Sequence, residues 1–100
     1  MESPIACKLA DAEMRERRRT ILDLVRQAAS DVIPLPLGVV YRFQSTPQIL
    51  TQLDQLVELE RQCCPFLTFR AIVESDDQSV YLEVTGPLEA RAVIVEIFGP

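Results

Sequence analysis

The stretch Gly38–Phe66, GVVYRFQSTPQILTQLDQLVELERQCCPF, decides how this chain is built. Its opening GVVYRFQ alternates, with Val39, Tyr41 and Phe43 on one side and Val40, Arg42 and Gln44 on the other, the pattern of a strand with one buried face. Ser45-Thr46-Pro47 closes that strand and opens a helix: Thr46 suits the cap, Pro47 the first helical position. From there to Cys64, residues Ile49, Leu50, Leu53, Leu56 and Val57 form one apolar stripe, and Pro65 forbids further regular helix.

Upstream, Asp11 stands as a cap before AEMRERRRTILDLVRQAA, whose Met14, Ile21, Leu22, Val25 and Ala28 recur at helical spacing. The expected helix runs from Ala12 to Ala29, and SDVIPLPLG, with two prolines and a glycine, reads as a loop. Downstream, FLTFRAIVES reads as a strand with Leu67, Phe69, Ala71 and Val73 inward. Asp76-Asp77-Gln78-Ser79 is a turn, and SVYLEVTG is a strand with Val80, Leu82 and Val84 on one face. Gly86-Pro87 starts a last helix carrying Ala90, Val93, Ile94, Ile97 and Phe98.

The expected fold class is therefore α+β in the order α-β-α-β-β-α, a single domain over residues 1–100. Placing the third strand between the first and second makes every neighbouring pair antiparallel, a three-stranded, half-ferredoxin-like sheet with its helices on one face. The other face would turn Arg42, Arg70, Glu83 and Thr85 to water or to a partner.

Composition excludes several functions. The chain has no His, which removes the commonest zinc ligand and general base and every Ser-His or Cys-His catalytic pair. A formal net charge of -5 argues against a nucleic-acid partner. The one basic cluster, Arg15, Arg17, Arg18 and Arg19, is interleaved with Asp11, Glu13, Glu16 and Asp23 and reads as a solvated helix face. No apolar run is long enough to span a bilayer and no secretory leader precedes the first helix, so the expectation is a cytoplasmic protein without a membrane partner. In that compartment three cysteines read as packing residues, reactive thiols or soft-metal ligands rather than as a disulfide framework.

The segment ELERQCCPF departs from an ordinary core helix. Taking Leu53 as zero and turning about 100° per residue, Glu60 falls at about -20°, Cys63 at about -80° and Cys64 at about +20°. Glu60 thus lies in the middle of the apolar stripe, three and four residues before the two cysteines. Burying an unpaired carboxylate costs several kcal/mol, roughly, so Glu60 needs a proton, a cation or an ion-pair partner. On the first helix, with Met14 at zero, Arg18 falls at about +40° and Arg17 at about -60°; both flank the apolar face, and the wheel slightly prefers Arg18. At a helix C-terminus and beside a carboxylate, Cys63 and Cys64 should have raised pKa values, unlike activated nucleophiles. A soft cation can still displace their protons. Two or three sulfurs, with Cys7 as the third, suit mercury, arsenic(III) or copper(I), and adjacent cysteines could instead close a strained vicinal disulfide. With one Cys-Cys pair and no His, a closed four-ligand zinc site within the chain is not expected.

The set Cys7-x-Leu9, Arg17, Leu35-x-x-Gly38, Glu60-x-x-Cys63-Cys64-Pro65-Phe66 and Gly86-Pro87 resembles a family of small bacterial proteins of about this length. Some of these are associated with mercury-type or related metal-responsive regulators. The resemblance covers nearly the whole chain, and the Glu-x-x-Cys-Cys-Pro-Phe segment is its specific part. It implies that Cys7, Arg17, Glu60, Cys63 and Cys64 share a site, and it supplies no reaction. Of the two arginines, the resemblance selects Arg17.

Two functions follow as expectations. One is a cytoplasmic thiol protein that binds or senses a soft metal ion through Cys63 and Cys64 with Cys7, supported by Glu60 and Arg17 or Arg18. No motif for an organic cofactor is present and no enzymatic activity is expected. The other is a structural or interaction module whose cysteines are core packing, pairing into a homodimer through its sheet edge or polar sheet face.

Overall fold

A computed structural model describes residues 12–76 and 78–99; Cys7, Leu9, the expected cap Asp11 and the turn residue Asp77 lie outside them. Three helices and a four-stranded antiparallel sheet give an α+β architecture. In chain order these are α1 (Ala12–Ala28), β1 (Asp31–Leu35), β2 (Gly38–Gln44), α2 (Pro47–Cys63), β3 (Thr68–Glu74), β4 (Ser79–Thr85) and α3 (Arg91–Phe98). A short 3-10 turn, Leu88–Ala90, precedes α3 where an uninterrupted helix from Pro87 was expected. The sheet order is β1-β2-β4-β3.

The expected three-strand sheet is corrected by β1, which occupies the segment read as a loop. Asp31 to Leu35 pair with Arg42 to Gly38, and Pro36-Leu37 form the two-residue connection. Pro34, opposite Val39, made this segment look irregular. As an edge strand β1 has a neighbour on one side only, where a residue lacking an N–H is tolerated.

The buried face of the sheet consists of Val39, Tyr41 and Phe43 from β2 with Val80, Leu82 and Val84 from β4, all at most 2% exposed. Leu53, Leu56, Cys63, Ile94 and Phe98 complete one continuous apolar cluster with Leu22 and Val25 of α1. Burying a Val, Leu, Ile or Phe side chain stabilises by roughly 1.5–3 kcal/mol, so this cluster supplies most of the favourable energy of folding. The inward reading of Ala71 and Val73 does not hold: both are exposed, Val73 by 61%. The buried pattern runs along β2 and β4 and lapses on β3, which forms the opposite edge of the sheet.

Polar contacts lock the helices to this cluster. Thr46 caps α2 by accepting from the Ile49 N–H at 3.1 Å. Arg26 of α1 donates to the carbonyls of Ile97 and Gly99 at 3.1 and 3.2 Å, satisfying acceptors left open at the end of α3. The buried Tyr41 hydroxyl donates to the Phe98 carbonyl, and burial pushes its pKa up to about 12.

Gly38 starts β2 against the backbone of β4. A Cβ at this position would stand 1.8 Å from the Val84 carbonyl oxygen, a main-chain atom that cannot step aside without breaking the ladder. Gly38→Ala is therefore expected to cost more than about 2 kcal/mol, measured by urea unfolding followed by far-ultraviolet circular dichroism. An unchanged midpoint would show that β2 and β4 part more easily than this packing implies.

Candidate functional site

The last turn of α2 brings together Glu60, Cys63 and Cys64, with one ligand atom from each lying within 4.8 Å of the others. Glu60 and Cys63 are fully buried and Cys64 is 1% exposed. On a regular helix, adjacent residues point about 100° apart, so Cys63 and Cys64 would face different directions. The helix ends at Cys63 instead, and Cys64 takes φ -127° and ψ 70°. Pro65 accounts for this, because the residue before a proline is pushed out of the helical region. The Cys64 N–H still closes the final helical hydrogen bond to the Glu60 carbonyl at 2.6 Å, while its side chain swings back over the helix end. The two sulfurs are 3.5 Å apart, with the Glu60 carboxylate within 4.8 Å of both.

Glu60 is held by Arg18. Nε donates to Oε1 at 2.6 Å and Nη2 donates to Oε2 at 3.2 Å, a two-point clamp between α1 and α2. This decides between the two candidate arginines against the one that the family resemblance selects. Arg17 is exposed and lines a surface cleft with Met14, Ile21, Asp54, Glu58 and Gln62. Arg18, with 17% of its side chain exposed, reaches from the helix flank into the interface. Burial raises the Glu60 pKa above its ordinary value, the guanidinium pulling the other way without cancelling it. Burial first, and then the neighbouring carboxylate, push the Cys64 thiol up to about 11.

Cys63 is disulfide-bonded, and Cys64 is free. The reading of the cysteines as packing residues, reactive thiols or soft-metal ligands thus misses a disulfide at Cys63, and the alternative of a vicinal Cys63–Cys64 bond does not hold, because Cys64 is free. The residue spacing carries no signal for it. The remaining cysteine of the sequence, Cys7, lies outside the described residues. A carboxylate, a free thiol and a disulfide sulfur together offer proton transfer, sulfur exchange and, once Cys63 is reduced, a soft-metal ligand set.

No protein-family model, curated protein or solved structure matches this chain. Among the described residues, no helix is long and apolar enough to cross a membrane.

Two tests address the electrostatics. Arg18→Met leaves a buried carboxylate without its cation and is expected to cost about 3–5 kcal/mol at pH 8, against less than about 0.5 kcal/mol for Arg17→Met. The Arg18 penalty should shrink on acidification, because protonated Glu60 no longer needs a cation; equal effects of the two substitutions would contradict the assignment. The second concerns Cys64, whose raised pKa lets the folded chain bind more protons than the unfolded chain between pH 9.0 and about 11. Stability must therefore fall as pH rises across that window. Cys64→Ala is expected to flatten the fall in urea titrations, leaving the part that Tyr41 contributes above pH 10.0.

Proposed function

We propose that this protein is a thiol centre for a soft, thiophilic ion, held in its reduced form by Cys63 and Cys64 with Glu60 beside them. The observation that carries this reading is the 3.5 Å separation of the two sulfurs at a buried carboxylate. At a metal–sulfur distance of about 2.3 Å, sulfurs this close subtend about 100° at the ion, whereas linear coordination would need roughly 4.6 Å. The spacing therefore favours bent coordination, as at trivalent arsenic, over the linear coordination of a two-thiolate mercury site.

The surroundings fit such an ion. Thiolates are soft ligands, and a bound cation takes the place of the thiol protons that burial otherwise retains. Glu60 can take up a displaced proton or lend an oxygen, since each carboxylate oxygen keeps a lone pair beyond the one that Arg18 occupies. Arg18 offsets the negative charge that two thiolates and a carboxylate would gather in a region without water contact. Hard ions have little to bind here, with two sulfurs and a single carboxylate. The family resemblance, with its link to metal-responsive regulators, points the same way and brings Cys7 in as a third sulfur. The disulfide at Cys63 makes uptake a property of the reduced chain.

Phenylarsine oxide, which joins two thiols to one arsenic with loss of water, tests the centre. Fully reduced protein is expected to form a single adduct by intact mass that survives excess glutathione, a monothiol. Cys63→Ser and Cys64→Ser should each lose that resistance. Pro65→Ala, which lets Cys64 return to helical geometry and turn away from Cys63, should weaken it roughly tenfold or more. An adduct on the parent protein that glutathione strips as readily as from either Ser variant would refute the two-sulfur site.

A further inference from the structure

The two edges of the sheet are built differently. β1 carries Pro34, a residue that blunts a strand edge. β3, with the sequence TFRAIVE, runs seven residues without proline or glycine, is rich in β-branched and aromatic side chains, and pairs only with β4 among the described residues. A regular edge of this length presents a row of open N–H and C=O groups, a template for another strand. Apolar side chains on it are also uncovered. Ala71 and Val73 are exposed, although Leu82 and Val80, opposite them on β4, are fully buried.

We infer that β3 is a self-association edge, to which a second copy of this chain adds its own β3 antiparallel about a twofold axis at Ile72. Charge selects the occupant and the register. Arg70 and Glu74 lie two residues to either side of Ile72, and the three side chains share the sheet face turned away from Leu82 and Val80. Twofold pairing at Ile72 sets Arg70 of each copy directly opposite Glu74 of the other, while Ile72 meets Ile72 between them. Within one chain Glu74 stands opposite Ser79 and Arg70 opposite Glu83. The second copy thus supplies the cation that Glu74 lacks across its own strand pair, and each Arg70 then lies between two carboxylates in a row across the joined sheets.

On the helix side the same register places Val73 of each copy against Ala71 of the other, covering the apolar side chains that a single chain leaves in water. Neighbouring registers lose this match. An axis at Arg70 brings the two arginines face to face, and one at Ala71 sets Arg70 opposite Ile72. Of the two surfaces expected for a homodimer, the sheet edge is therefore the one with a self-complementary sequence. A contact made by one strand edge is smaller than the standard interface of about 1,600 Å², so the association is reversible and follows protein concentration. It makes no use of the thiol centre.

Sedimentation equilibrium on fully reduced protein reads this association free of any disulfide link between chains. The parent protein is expected to move from monomer towards twice the monomer mass as concentration rises. Arg70→Glu and Glu74→Arg each place like charges opposite one another twice, and each should raise the dissociation constant roughly tenfold or more. An equimolar mixture of these two variants should regain the association of the parent, because opposite charges then meet at both positions. Restoration by mixing depends on the opposition of residues 70 and 74, and a folding defect cannot imitate it. Val73→Lys, on the other side of the strand, should weaken association as well; with Glu74→Arg it decides the matter if far-ultraviolet circular dichroism shows Arg70→Glu to be unfolded. A parent protein that stays monomeric at every concentration, undiminished association in Glu74→Arg and Val73→Lys, or a mixture of folded variants that stays monomeric would overturn the inference.

Discussion

Everything distinctive about this fold turns on one buried carboxylate. Glu60 has no solvent exposure and sits where a leucine would otherwise complete the stripe of α2. A carboxylate there is tolerable only with a partner, and the bidentate bond from Arg18 provides it. That requirement fixes how α1 is rotated against α2, since only one arginine of the basic cluster can reach the interface while its neighbours stay in water. Apolar residues of the same volume would pack this interface at least as stably, so the pair is better understood as setting register and chemistry than as adding stability.

The second constraint is Pro65. By excluding helical geometry from Cys64 it ends α2 at Cys63 and turns two adjacent side chains, normally divergent, towards each other. Glu60, one turn earlier, lies beneath both. A Glu in an apolar stripe and two cysteines before a proline therefore bring three ligand atoms, from Glu60, Cys63 and Cys64, within 4.8 Å of one another. The rest of the molecule holds that point still: Arg26 ties α1 to the end of α3, and Tyr41 ties the end of α3 to the sheet.

The environment also explains why the site suits sulfur chemistry in place of ordinary nucleophilic catalysis. Burial and the carboxylate both hold the Cys64 thiol protonated, so it is quiet towards outside reagents. The neighbouring Cys63 sulfur, 3.5 Å away, needs no approach through solvent. Proximity stands in for intrinsic reactivity here.

Much of this was legible along the chain. The change of period at Thr46-Pro47 and the stop at Pro65 place α2 and its cysteines, and the helix wheel alone puts Glu60 inside and slightly favours Arg18. Three features were not. The strand β1 was hidden by Pro34, because a proline's compatibility with a strand depends on having an open edge, which exists only once the sheet is assembled. Exposure of Val73 was hidden because alternation says which face a residue is on, not whether a helix covers that face. The disulfide at Cys63 was hidden because residue spacing carries no signal for which sulfurs a fold brings together. Local residue choice therefore determined the elements and the buried charge; the tertiary structure decided which groups touch, since contact depends on how helix ends and sheet edges come to rest against one another.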